Sequence, residues 1–103
     1  MIKVTVLLPT YYNNGMLISS MTIDELLDKL DDITGGHTRQ GYCDGAYRMH
    51  DGRNYDRNIV VWVVCNSDKL SALREWAFLA AQRLQQESIY FEYQQTNVEF
   101  IRA

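Results

Sequence analysis

Two extended runs, His37 to His50 and Arg53 to Cys65, meet at Asp51-Gly52. Asp-Gly between such runs predicts a β-hairpin, because a two-residue type I′ turn needs positive φ at both central positions. With those two residues as the turn, His50 faces Arg53, Gly41 faces Trp62, Tyr42 faces Val61 and Cys43 faces Val60. A bulge at Gly41 or Gly45 would shift that register. Ile59 to Val64 (IVVWVV) is apolar at every position, as expected for a central strand covered on both faces. A long hairpin with one such strand requires further strands beside it and a layer packed over it.

The rest of the chain supplies them. Ile2, Val4, Val6 and Leu8 alternate with Lys3, Thr5 and Leu7, which predicts a strand with one wholly apolar face, ended by Pro9. Thr10 to Ser20 reads as a polar and aromatic loop, with a short extended piece at Met16 to Ile18; loops this long are often functional. Thr22 and Glu25 have the spacing of a capping box, with Met21 and Leu26 at the staple positions. The helix that follows places Ile23, Leu26, Leu27, Leu30 and Ile33 on one face and Asp24, Asp28, Lys29, Asp31 and Asp32 outward. Gly35-Gly36 closes it. Asn66-Ser67 caps a second helix whose buried stripe is Leu70, Leu73, Trp76, Ala77, Ala80 and Leu84, running to about Gln86. Ser88 to Tyr93 alternates as a strand, and a turn at Gln94 to Asn97 leads to a short terminal strand, Val98 to Ile101.

Strand, helix, strand, strand, helix, strand over 1–103 is one α+β domain, and its βαββαβ order resembles the ferredoxin-like, or split βαβ, plait. The resemblance is one of fold. It implies an antiparallel sheet of order 4-1-3-2, two helices on one face, an extended hairpin between the second and third strands, and here an extra C-terminal strand. Small plait domains of this kind, signal-binding regulators of the nitrogen-regulatory PII type among them, associate through the open face of the sheet or through an extended hairpin. The open face leaves Trp62 or its neighbours wet in a monomer, and exposed apolar surface of that kind marks an interface. A homo-oligomer is therefore expected, most simply a two-fold dimer. The fourteen residues of the first hairpin strand span roughly 45 Å, so its tip projects beyond the sheet or bends at Gly41 and Gly45.

Composition excludes some functions. The chain is 47% hydrophobic and 22% charged, with net charge −3, which argues against general nucleic-acid binding. No run approaches a membrane span, and MIKVTVLL is not a signal peptide. Cys43 and Cys65 stand apart from any Cys/His spacing, as two reduced thiols of a cytoplasmic protein. No metal-ligand spacing and no cofactor motif is present.

Chemistry concentrates between His37 and Arg57, which holds both histidines and four of the seven arginines. In the expected register Arg48, His50, Arg53, Tyr55 and Arg57 share one ribbon face. The topology brings them to the same end as Tyr11, Tyr12 and the start of the first helix. Arginines bind phosphate or carboxylate in bidentate fashion, tyrosines stack, and a helix N-terminus favours anions. These seven residues form the candidate site for an anionic small molecule, a nucleotide or phosphorylated metabolite. The plainer account is that Asp44, Asp51 and Asp56 neutralise the arginines. Two further functions fit the same residues. One is a small hydrolase or lyase, such as a phosphodiesterase, with His50 as general acid or base; the other is a protein-interaction module. His37, at the far end of its strand, stands outside the cluster.

Overall fold

A computed structural model describes every residue, Met1–Ala103. The elements are β1 (Ile2–Pro9), α1 (Ser20–Thr34), β2 (Thr38–Met49), β3 (Gly52–Cys65), α2 (Leu70–Arg83) and β4 (Tyr90–Gln95), with a 3-10 turn at Ser67–Lys69 before α2. The four strands form one antiparallel sheet of order β2-β3-β1-β4. This is the 4-1-3-2 plait that the sequence predicts.

Alternation in β1 and β3 sorts the sheet into two faces. Ile2, Val4, Val6, Leu8, Ile59, Val61, Val63 and Cys65 are buried and meet Leu26, Leu27 and Leu30 of α1 and Leu73, Trp76 and Ala80 of α2 in one core cluster. Leu7, Val60, Trp62 and Val64 occupy the open face and are half-buried. Lys3 Nζ lies 4.6 Å from the centre of the Trp62 ring, so the amphipathic lysine covers part of the apolar surface left by the missing second layer.

Three local expectations are corrected. The helix N-cap is Ser19, whose side chain accepts from Met21 N at 3.1 Å. With α1 starting at Ser20, Thr22 already lies inside the first turn. Glu25 pairs with Arg83 of α2 rather than folding back on a capping box, and Met21 is 68% exposed instead of stapled. The C-terminal residues form no fifth strand: after Gln95 the chain runs on unpaired, tied by Thr96 N to Met1 O at 3.0 Å, with Phe100 and Ile101 exposed.

The third correction concerns the hairpin. Met49 pairs with Gly52 and Arg48 with Arg53, so His50 and Asp51 are the turn and every pairing near the tip moves by two residues. Neither turn residue has positive φ, while Gly52 has φ +125°, so the turn is not type I′. Its glycine instead serves at the position after an unprimed turn, a common alternative hairpin closure. Tyr42 thus opposes Ile59, Cys43 opposes Asn58 and Gly41 opposes Val60. A two-residue slip leaves each side chain on its original face. The bulge does fall at Gly41: Arg39 pairs with Val61 while Gly41 pairs with Val60, leaving Gln40 extra, and Gly41 has φ +108°. Trp62 consequently opposes Thr38.

The hairpin outruns the sheet. β1 ends at Pro9, opposite Asn58, and Gly52–Arg57 of β3 continues past it with only β2 as neighbour. The molecule measures 51 × 28 × 26 Å with a radius of gyration of 14.7 Å, above the ~13 Å of a compact domain this long. The projecting ribbon, called the arm below, accounts for the excess.

Candidate functional site

Where the sheet narrows from four strands to two, the arm forms one side of a notch. Loops from the other elements form the remaining sides. Antiparallel pairing puts the end of β1, the start of β3 and the start of β4 at one end of the sheet, together with the Thr10–Ser19 loop and the turn from α2 into β4. The result is a cleft of about 860 Å³, within the range of small-molecule sites.

Its floor is Leu7, Pro9 and the buried Asn58. One wall is a small loop hairpin: Tyr11 bridges Leu17, Tyr12 N donates to Met16 O at 2.8 Å, and Gly15 turns the chain at φ +87°. This presents Tyr11, Tyr12 and Asn13 to the cleft. Asn13 Nδ2 also donates to the Gln85 carbonyl at 3.3 Å, tying this wall to the Gln86–Tyr90 wall. Gln85 itself sits at φ +57°, the one non-glycine residue of the chain with positive φ, which lets the chain leave α2 abruptly and enter β4.

The arm supplies the third wall through Tyr47, Met49 and Asn54 to Arg57. Gly45 shapes it: a Cβ there would lie 3.0 Å from the Tyr47 ring, so its absence lets the ring lie back along the ribbon. The arm's inner strand edge is free. Arg57 O accepts from Thr10 N at 3.0 Å and from Thr10 Oγ1 at 2.9 Å. Since backbone groups two residues apart point the same way, the amide and carbonyl of Tyr55 and Arg53 face outward along that edge. Five tyrosines therefore border the cleft, with Asp56 and Glu87 as its acidic groups and Arg57 as its one arginine.

Tyr90 O–H donates to Glu92 at 2.8 Å. That hydrogen bond, reinforced by the charge of Glu92, pushes the Tyr90 phenol above its ordinary pKa. Arg57 stacks over Tyr42 at 5.0 Å and lies 3.9 Å from Asp44 across the ribbon. Both ionic partners are well exposed, so the pair holds Arg57 weakly.

Of the seven residues singled out from sequence, Tyr11, Tyr12, Tyr55 and Arg57 border the cleft. Arg48 and Arg53 face each other farther along the arm, and His50 sits in the turn at its tip, outside the cleft wall. The acidic neutralisation expected on the arm is limited to Asp44 with Arg57. Tyr47, Asn54, Asp56, Glu87 and Tyr90 were missed. Asn54 and Asp56 lie on the ribbon face opposite the arginines, so the arginine pattern does not point to them. The rule that brought the first loop to the hairpin end also brings the α2–β4 turn there, so Glu87 and Tyr90 were within reach of the topology.

No known family model and no curated protein sequence matches the chain. Solved structures do. A phage SAM lyase in complex with S-methyl-5'-thioadenosine superposes with a TM-score of 0.71 at 9% identity, covering 91% of this chain and 80% of that one. A phage SAM lyase in the apo state gives 0.65 at 7% identity, over 90% and 78%. At such identities the likeness is one of fold, and it agrees with the ferredoxin-like plait.

Proposed function

We propose that this chain binds a small nucleoside-bearing ligand of the S-adenosylmethionine class in the tyrosine-lined cleft. The observation that carries the reading is the lining itself: Tyr11, Tyr12, Tyr47, Tyr55 and Tyr90 around one notch, with Asn13, Asn54 and Asn58 among them. A base stacked on an aromatic side chain gains about 1–3 kcal/mol, and asparagine amides match the donor and acceptor edges of a purine. Tyrosine faces and the carboxylates of Asp56 and Glu87 suit a sulfonium or ammonium charge. Arg57, loosely held by Asp44, suits a carboxylate. The anionic ligand expected from sequence thus becomes a ligand with one anionic group. The thioadenosine-bound fold neighbour supports this choice of class.

The test is a thermal-shift titration with S-methyl-5'-thioadenosine, S-adenosylmethionine, adenosine and AMP. Saturable stabilisation by the adenosine compounds is expected, worth about 2.7 kcal/mol at a hundredfold excess over Kd. Tyr55→Ala and Tyr11→Ala should abolish it, while Arg48→Ala should leave it intact. No shift with any of the four compounds overturns the reading.

A second reading, a lyase acting on the same ligand, is favoured by the activity of the fold neighbours. His50 lies outside the cleft, so a proton acceptor would come from Asp56 or Glu87. Incubation with S-adenosylmethionine, followed by chromatography for S-methyl-5'-thioadenosine, distinguishes turnover from binding alone. The chain has two free thiols and no helix long and apolar enough to cross a membrane; the thiols support a reducing, cytoplasmic setting.

A further inference from the structure

Arg48 and Arg53 stand directly opposite one another across the arm, both exposed, and neither belongs to an ion pair. The chain's three ion pairs are His37–Asp31, Arg57–Asp44 and Arg83–Glu25. Like charges directly opposite in an antiparallel ribbon destabilise it. A two-stranded ribbon also has no core of its own to offset the repulsion. On the same ribbon face as this pair Tyr55 is 75% exposed, and Tyr47 and Met49 are exposed on the other face. Tyrosine, methionine and arginine are the residue types enriched at protein interfaces.

The same chain carries the complementary arrangement. Asp24, Asp28 and Asp32 recur every four residues of α1, on the side away from the buried Leu26, Leu27 and Leu30. All three are exposed and none is ion-paired. Like charges at i and i+4 repel along a helix. Successive aspartates lie about 6 Å apart along the axis, and the side chains of a facing strand pair start about 4.5–5.5 Å apart. Two guanidinium groups at the arm tip can therefore address two successive carboxylates.

We propose that the arm tip docks on the acidic stripe of α1 in a second copy of this chain. Arg48 and Arg53 then pair with Asp28 and its neighbours, and Tyr55, on the same ribbon face, packs beside them. Each charge array is unfavourable alone, and docking relieves both. The two patches are different surfaces, so the contact is head-to-tail and closes a ring or extends a chain. It does not need the cleft to be occupied. Retained ligand binding in arm variants separates failure of this contact from failure of the cleft.

Light scattering after size exclusion tests it on the full chain. The expected mass is a multiple of 12.0 kDa at low salt, falling as salt screens the contact. The double variant Arg48→Glu/Arg53→Glu and the double variant Asp28→Arg/Asp32→Arg should each lose the assembly while keeping a cooperative melt. Mixing the two should restore it, because each reversed patch then meets its opposite. Where a reversal variant does not fold, Arg48→Gln/Arg53→Gln replaces it and should weaken the assembly in the same direction. A wild-type mass of 12.0 kDa at low salt, a mass unchanged by both reversals, or folded variants that fail to reassemble on mixing overturns the proposal. So does a wild-type assembly seen only after RNA or anionic vesicles are added.

Discussion

The indole Nε1–H of Trp76 donates to the backbone carbonyl of Leu26 at 2.9 Å, across the seam between the two helices. It is a buried bond between residues fifty positions apart, and both side chains are almost wholly removed from water. Trp76→Phe removes the donor and part of the ring volume together. The loss should be about 1–3 kcal/mol, lowering Tm by roughly 4–8 °C per kcal/mol in a domain of this size. Circular dichroism melts check it, and a Tm within 2 °C of the wild type, on the order of a few tenths of a kcal/mol, would show that the bond carries no net stability.

Gln85 is held at φ +57° where α2 gives way to the cleft wall. A left-handed conformation disfavours any residue with a Cβ by roughly 1–2 kcal/mol, and helices commonly end on a glycine there. Gln85→Gly should therefore raise stability by up to about 1 kcal/mol, after the extra freedom glycine brings to the unfolded chain. The Asn13 bond uses only the Gln85 backbone carbonyl, so ligand affinity should be unchanged. A stabilised variant that no longer bound would tie the Gln85 side chain itself to the cleft.

The hydrogen bond to Glu92 raises the Tyr90 phenol. A raised folded value means that the stabilising contribution is whole below the ordinary tyrosine value near 10. It is lost as pH climbs through the raised value, when tyrosinate and carboxylate repel. Glu92→Gln should bring one of the seven tyrosines down to an earlier midpoint in an ultraviolet titration. Superimposable titration curves would rule out the coupling.

The two thiols should react unequally. Burial, with Asp68 adding to it, pushes the Cys65 thiol up, and thiolate is the reactive form. Cys43 is half-exposed on the arm side of β2. Iodoacetamide on the native protein should label Cys43 first and Cys65 only after denaturation, as read by peptide mass spectrometry.

The fold was legible because its signals are periodic. Alternation in Ile2–Leu8, the unbroken apolar run Ile59–Val64 and the i, i+3, i+4 stripes of both helices each specify a face, and faces together with element order specify the plait. What was not legible depended on one-residue choices. Ser19 and Thr22 are both residue types that cap a helix, and the residue types alone do not say which of them does; in the structure it is Ser19. Asp51-Gly52 carries a glycine that serves equally at the turn or just after it. The candidate site was half legible for a related reason. Composition points to arginine, whereas the cleft is lined by whichever residues border the end of β1, and that end is a property of the assembled sheet. The Val98–Ile101 run has strand-like residues but finds no neighbour to pair with.

The early end of β1 leaves a mark that isotope exchange can read. On Asn54 and Asp56 the backbone amides point into β2 and are held there. On Arg53 and Tyr55 they point into the notch, where no strand lies opposite. Deuterium uptake along the arm should therefore alternate residue by residue, fast at the odd positions and slow at the even ones. A ligand seated in the cleft, or a neighbouring chain laid along that edge, should slow the odd positions alone. The rhythm of exchange in four amides would then report occupancy of the notch without a label on the ligand.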